Sequence, residues 1–397
     1  MRTPTLPGLL ILAFLTPPVH AEVTKTYIVQ FNDSAVQAPV RKPVRDARRD
    51  ADPQGWGYVD ERVMERTQTA EARYGVKADH AYSHVMKGFA ARLTAAQVAL
   101  LKADPSVMAI EEDKPMYATG QTIPWGIAQT RDTLSSTQAG NGAGAVSGVN
   151  VYVIDTGIAT HPDLNLTKHI NFAGDGKNTD CNGHGTHVAG TIGARDDSAS
   201  VVGMAPGVAL TGVKVLGCTG AGTTSGVIKG VDWVTANAVK PAVANMSLGG
   251  GTSTMLDNAI VKSVNSGVVY AIAAGNSAVD ACTQSPARIG KTVSGAITVA
   301  ATDSTDAEAS FSNFGSCVDT WAPGVAILST YLSGGLATAS GTSMASPHAA
   351  GAAALYLSRY GKISPSLVET AIKQSAVQPG TVSKNGQAIT RLDVLSF

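Results

Sequence analysis

Apolar residues fall into two different rhythms along this chain. Up to about residue 118, short alternating runs are set among many charges. Beyond it, continuous apolar runs alternate with helix-like segments and Gly-rich turns. In the first part, Lys25 to Phe31 alternates and is rich in β-formers, which predicts a strand. A polar stretch with Pro39, Pro43 and Pro53 reads as a loop, and Val59, Val63, Met64 and Tyr74 mark a helix over 58–74. His80–Met86 and Phe89–Leu93 read as strands joined by a turn at Lys87-Gly88. Thr94 suits the N-cap of a helix from Ala95 to Leu101 that stops before Asp104-Pro105, and Val107–Glu111 is a last strand. The order β-α-β-β-α-β is that of a small ferredoxin-like α+β unit.

In the second part, Val149–Ile154, Ala209–Val215, Val243–Met246, Val268–Ala273 and Ile297–Ala300 read as buried strands, with helices over 224–239 and 254–266 between them. Such alternation predicts an α/β fold, a mostly parallel sheet flanked by helices. Ligands of such sheets bind beyond the carboxyl ends of the strands.

Charge supports two units. The first 118 residues hold 29 charged side chains and the other 279 hold 31, while the whole chain is neutral, with 30 Lys+Arg and 30 Asp+Glu. That balance gives no footprint for nucleic acid or a charged membrane surface. Arg2, the apolar run Leu9–Leu15, Pro17-Pro18 and the small-residue end Val19-His20-Ala21 predict a secretory signal peptide at 1–21. No later run is long and apolar enough to span a bilayer. The four cysteines, Cys181, Cys218, Cys282 and Cys317, agree with export and allow three pairings. His80 and His84, four apart on an expected strand, read as solvated histidines rather than metal ligands.

The polar motifs lie at the ends of the buried runs. Asp155 directly follows its strand in Val-Ile-Asp-Thr-Gly. Asn182-Gly183-His184-Gly185-Thr186-His187 offers two possible bases, with flanking glycines that allow close backbone approach. Ser343, in Ser340-Gly341-Thr342-Ser343-Met344-Ala345-Ser346-Pro347-His348, stands at the start of a helix rich in small residues, where unpaired N–H groups favour a developing anion. Asn276, in Ala273-Ala274-Gly275-Asn276-Ser277, could donate a side-chain amide to the same anion. Asp, His and Ser in that order differ from the order in chymotrypsin and in the α/β-hydrolases.

These motifs resemble those of the subtilases, nearest to the proteinase K and aqualysin branch, over roughly 119–397. Gly88-Phe89-Ala90-Ala91-Arg92-Leu93 and Val107–Asp113 resemble the subtilase propeptide over 22–118. The resemblance implies a secreted, monomeric serine endopeptidase made as an autoprocessed zymogen. Ser343 would be the nucleophile, His184 the general base, Asp155 its orienting acid and Asn276 an oxyanion donor. It implies that polypeptide substrates bind as an added strand between Gly220-Ala221-Gly222 and Ser247-Leu248-Gly249-Gly250, with Ala273-Ala274-Gly275 as a second pocket wall. Walls of Gly and Ala imply broad specificity with an apolar or aromatic preference. The family's disulfides correspond to Cys181–Cys218 and Cys282–Cys317. No cofactor is implied for catalysis. Structural Ca²⁺ is, with Ser294, Ala296 and Asp319 at the positions of one family site, although Ser294 replaces a proline and about four residues are inserted around Arg288–Thr292. Asp175 and Asp180 are further oxygen donors, read mainly as a solvated loop. The propeptide would act as intramolecular inhibitor and folding aid, with its last strand and tail in the cleft and maturation between about Tyr117 and Gln121.

Overall fold

The computed structural model describes residues 24–36, 59–114, 120–197 and 199–397, so the expected signal peptide and the proline-containing loop lie outside the described residues. The chain divides into two compact units, Met1–Met116 and Tyr117–Phe397.

In the first unit, β1 (Lys25–Phe31), α1 (Glu61–Tyr74), β2 (Ala78–Tyr82), β3 (Gly88–Leu93), α2 (Ala95–Lys102) and β4 (Val107–Glu112) follow the expected order. The sheet order is β2-β3-β1-β4 with every pair antiparallel, as a ferredoxin-like arrangement requires. Asp60 caps α1, its side chain accepting from the Arg62 N–H, and Gly75 ends that helix in the left-handed region. Thr94 and Gln97 form a complete capping box on α2, which fixes its start where the sequence placed it. Val29, Val63, Phe89, Leu93 and Leu101 fill the core.

One boundary differs. The strand expected over 80–86 runs over 78–82, and the turn lies at 83–87 rather than at Lys87-Gly88. Val85 continues the apolar pattern but is 95% exposed, so the pattern outlived the strand. His80 and His84 are both exposed, and His84 is off the strand.

The second unit begins with the short helix α3 (Trp125–Gln129). Its sheet contains β5 (Asn150–Asp155), β6 (Leu166–Asn171), β7 (Ala209–Lys214), β8 (Ala242–Met246), β9 (Val268–Ala273), β10 (Ala296–Thr302) and β11 (Thr320–Pro323). The order is β11-β10-β9-β8-β5-β7-β6, all parallel. Helices α4 (His184–Gly193), α5 (Thr224–Asn237), α6 (Thr254–Asn265), α7 (Thr342–Tyr360) and α8 (Pro365–Ser375) cover it, and β12 (Ile327–Thr330) pairs with β13 (Leu336–Ala339) in a separate antiparallel hairpin.

Alternation along β5 sorts the layers. Val151 and Val153 join the core under α4, α7 and α8, while Tyr152 and Ile154 join the core under α5 and α6. Burial on both faces is why these strands read as unbroken apolar runs. The chain leaves β5 on one side through β6 and β7 and resumes on its other side at β8, so strand order reverses at β5. That reversal opens a crevice at the carboxyl end of β5.

Candidate active site

Asp155 is the last residue of β5 and is fully buried. Its Oδ1 accepts from the Thr156 N–H at 2.6 Å and lies 2.7 Å from His184 Nδ1. That bond leaves Nε2 as the ring nitrogen that Asp155 does not engage, on a side chain that lines the cleft. Burial pulls the imidazole toward lower pKa, but the Asp155 charge and hydrogen bond outweigh it and hold His184 above the ordinary histidine value. His187 differs. It is 1% exposed, its Nε2 sits 3.0 Å from the Ile327 carbonyl, and burial pushes it down to about 4. It ties α4 to the β12–β13 hairpin and does not line the cleft.

The loop that presents His184 is held from beneath. The Asp180 carboxylate is 4% exposed and accepts five hydrogen bonds: from Thr156 Oγ1, the N–H groups of Asn182, Gly183 and Thr186, and Thr186 Oγ1. Thr156 Oγ1 in turn accepts from the Gly185 N–H at 2.9 Å. Only glycine fits at 185, because a Cβ there would stand 2.0 Å from the Gly157 carbonyl oxygen. Below the same loop lies Lys214, wholly buried. Its ammonium donates to the Thr156 and Leu216 carbonyls and pairs with Asp175 at 3.1 Å; the Asn171 amide, the Lys177 N–H and this ammonium together hold that carboxyl at about 2 against its partial burial. Asp175 and Asp180 are therefore occupied in building the loop. Asp180, read from the sequence as an oxygen donor in a mainly solvated loop, is instead buried and structural; Lys214 was not legible as a site residue, since it stood inside an apolar run.

Ser343 is the second residue of α7. Its Oγ donates to the Ser247 carbonyl at 3.2 Å, and Ser247 Oγ donates to the Ser343 carbonyl at 2.8 Å. The second bond answers Pro347, which lacks the N–H that would otherwise reach back to the Ser343 carbonyl. Asn245 completes the brace, donating to Ser247 Oγ and accepting from Ser346 Oγ. Asn276 Oδ1 accepts from both the N–H and the Oγ1 of Thr342, at 2.9 and 2.8 Å, which turns Nδ2 toward the site. The point a Cβ on Gly341 would occupy is 3.3 Å from Asn276 Nδ2 and 3.6 Å from the Ser343 backbone nitrogen. Two donors thus flank one small space at the start of α7.

A cleft of about 570 Å³ runs past His184 between Gly220-Ala221-Gly222 and Ser247-Leu248-Gly249-Gly250. A smaller pocket of about 240 Å³ opens beside Ser343, walled by Leu248, Gly249 and Gly250 on one side and Ala273 and Gly275 on the other. Ala274, expected as part of that wall, faces away and is buried with Cys317 and Trp321, because neighbours along a strand point to opposite faces. Disulfides join Cys181 to Cys218 and Cys282 to Cys317, and the first ties the His184 loop to the cleft edge at Gly220.

The expected Ca²⁺ ligands fit poorly. Asp319 lies beside the start of β10, but its Oδ1 accepts from Lys373 of α8 at 2.8 Å and its Oδ2 from the Thr298 N–H at 2.9 Å. Lys373 also reaches Glu369 Oε1 at 3.2 Å, and Glu369 Oε2 accepts from the Gly295 N–H. A side-chain ammonium already occupies the carboxylate that a cation would need. Gln121, Asp163, Arg195 and Val201 are a better oxygen-rich set, which the sequence reading missed. Gln121 Oε1 is buried without a partner, its Nε2 donates to the Arg195 and Val201 carbonyls at 2.9 and 3.4 Å, and burial raises buried Asp163 to about 6.

The sequence matches the Subtilase family over residues 146–391 and the Peptidase inhibitor I9 family over residues 26–119. It is 45% identical over 341 residues to the alkaline serine exoprotease A of Vibrio alginolyticus, covering 80% of this chain and 60% of that protein. It is 42% identical over 379 residues to the extracellular serine proteinase of Thermus sp. (strain Rt41A), covering 91% of this chain and 87% of that one. Proteinase R of Parengyodontium album is 42% identical over 76% of this chain and 78% of its own. The crystal structure of a cold adapted subtilisin-like serine proteinase superposes with a TM-score of 0.62 at 44% identity, covering 69% of this chain and 98% of that one. The chain belongs to the subtilase family of serine proteases, and carries an I9-type inhibitor region ahead of the protease domain.

Proposed function

We propose that this chain is a secreted endopeptidase precursor in which Asp155, His184, Ser343 and Asn276 carry the reaction. The supporting observation is the pairing of a hydrogen bond between His184 and the buried Asp155 with two donors, Asn276 Nδ2 and the Ser343 N–H, converging at the start of α7. In the first step Ser343 Oγ leaves the Ser247 carbonyl, passes its proton to His184 Nε2 and attacks the peptide carbonyl carbon. Asp155 holds Nδ1–H and balances the imidazolium. The two donors take the oxyanion. The tetrahedral adduct collapses as His184 returns the proton to the departing amine, and water, activated by the same base, releases the acyl group from Ser343. In a subtilisin, removing one oxyanion donor of this kind lowers kcat by about 10²–10³.

The peptide lies as an added strand between the 220–222 and 247–250 edges, and apolar side chains enter the Gly- and Ala-walled pocket. Residues 1–21 direct export and residues 22–118 act as inhibitor and folding aid. The chain is cut between about Tyr117 and Gln121, and residues 119–397 work as a monomer. A structural Ca²⁺ is best served by Gln121, Asp163 and the Arg195 and Val201 carbonyls, since an amide turned end for end would add its oxygen to those carbonyls, and the Val201 N–H already donates to Asp163 Oδ2 at 3.4 Å. The ion takes no part in the reaction steps.

The test is expression of the full chain and of its Ser343→Ala variant. The wild type should yield a mature N-terminus between residues 117 and 121 and hydrolyse casein. The variant should remain uncut and inactive. Processing and hydrolysis that survive in the variant would overturn the assignment, as would a mature start well inside residues 22–105.

A further inference from the structure

The small pocket beside Ser343 is not wholly apolar. Its lining includes Gln284, from the segment that follows the second cysteine pair's first member. Three successive hydrogen-bonding steps determine how that side chain is turned. Asn313 Oδ1 accepts the backbone N–H groups of Ser277 and Val279, at 3.0 and 3.1 Å, so its Oδ1 and Nδ2 cannot be exchanged. Asn313 Nδ2 then donates to the Ala274 carbonyl at 2.8 Å and to Gln284 Oε1 at 3.0 Å. Because Oε1 is claimed by a donor, the Gln284 amide presents Nε2 to the pocket. There its one hydrogen-bond contact among the described residues is a long one, 3.5 Å, to Ser277 Oγ. A Cβ on Gly275 would lie 2.5 Å from Gln284 Oε1, so the amide is packed closely against the pocket wall.

We propose that Gln284 is a specificity-determining residue whose Nε2–H donates to the substrate side chain that precedes the scissile bond. The proposal rests on the peptidase reading above and deepens it: the walls select size and apolar surface, and Gln284 adds a directed donor. An entering side chain that carries a neutral acceptor, glutamine above all, gains over an apolar one of equal length such as methionine. Walls of Gly and Ala without that amide would give the opposite order, because an unmatched polar group is costly in a dry pocket.

The experiment measures kcat/KM on a peptide series that differs only at this position, with Gln, Met, Leu, Phe and Lys, for the mature wild type, Gln284→Met and Gln284→Glu. The expected Gln-to-Met ratio falls about fivefold in Gln284→Met, the size of one neutral hydrogen bond. Gln284→Glu keeps the oxygen that Asn313 needs but has no donor, so it should lose the glutamine preference and gain on lysine. Unchanged ratios in both variants, with the enzyme active throughout, would overturn the proposal and leave the peptidase reading intact. An inactive wild type on every peptide would instead sink the peptidase reading. A loss confined to Gln284→Met, with Gln284→Glu keeping the wild-type glutamine preference, would mean that shape rather than donation selects, and would also overturn the proposal.

Discussion

Asp180 never touches substrate, yet its five accepted hydrogen bonds set the loop that carries His184, and Thr156 links it directly to the Gly185 N–H. Asp180→Asn keeps the shape and one acceptor oxygen. The better orientation places the new NH₂ opposite Thr186, because the Oδ1 side faces the Asn182 and Gly183 N–H groups and the Oδ2 side faces Thr186. The Thr186 N–H is then buried without an acceptor, which costs about 1–3 kcal/mol. The three bonds at Oδ1 lose their charge, at about 1 kcal/mol each. The sum, about 4–6 kcal/mol, should lower Tm by roughly 10 °C or more at the few degrees per kcal/mol typical of a domain this size. Calorimetry in the Ser343→Ala background, where autolysis cannot intrude, reads the stability term. In the active background, kcat/KM should fall more than about tenfold, because small misplacements of a catalytic group are costly. A Tm within about 2 °C of the parent with unchanged kcat/KM would refute the reasoning, since it would show that the hub positions nothing.

Three further outcomes follow from buried charges. Asp132 is fully buried and neither of its carboxylate oxygens has a partner among the described residues, and burial, opposed in part by Ser135 and aided by Asp196, raises its carboxyl to about 7. With the folded value raised, the unfolded chain releases this proton from about pH 4 while the folded chain keeps it to about 7, so stability falls across that window by about 4 kcal/mol. Asp132→Asn removes the loss. Its Tm advantage over wild type should grow from pH 5 to pH 9, and a constant offset would contradict this. Chelation should lower the Tm of the wild type but not of Asp163→Asn, while Lys373→Met should lower Tm equally with and without Ca²⁺. A chelator effect that survives in Asp163→Asn would place the ion elsewhere. Finally, kcat/KM should decline as pH falls through a His184 value above that of ordinary histidine, because the base must be neutral to accept the Ser343 proton. A profile flat down to pH 5 would be inconsistent with that base.

Much of this was legible in the sequence, for a physical reason. The central strands β5, β7, β8, β9 and β10 are buried on both faces and read as apolar runs. The site motifs stood out because glycines mark where backbones must approach closely, as at Gly185. The edge strands and the separate hairpin were not legible: β6 carries Thr167, Lys168 and His169, β11 ends at Pro323, and the four-residue hairpin strands β12 and β13 are too short for a period to show. Supporting residues were hidden for another reason. Lys214 sits in an apolar run and finds Asp175 only through the fold, and Gln284 owes its orientation to Asn313, 29 positions away. Side-chain choices made by distant partners leave no local signal. The same holds for Asp319, whose expected cation is replaced by an ammonium from α8.

A Ser343 nucleophile activated by His184 and Asp155 should react selectively with an organophosphate. The most direct measurement is intact-mass and peptide-mass analysis of the mature protein after treatment with diisopropyl fluorophosphate. One stoichiometric diisopropylphosphoryl adduct is expected on Ser343, formed slowly or not at all in His184→Ala, with peptidase activity lost in step with labelling. An adduct on another residue, or full activity in protein labelled at Ser343, would contradict it.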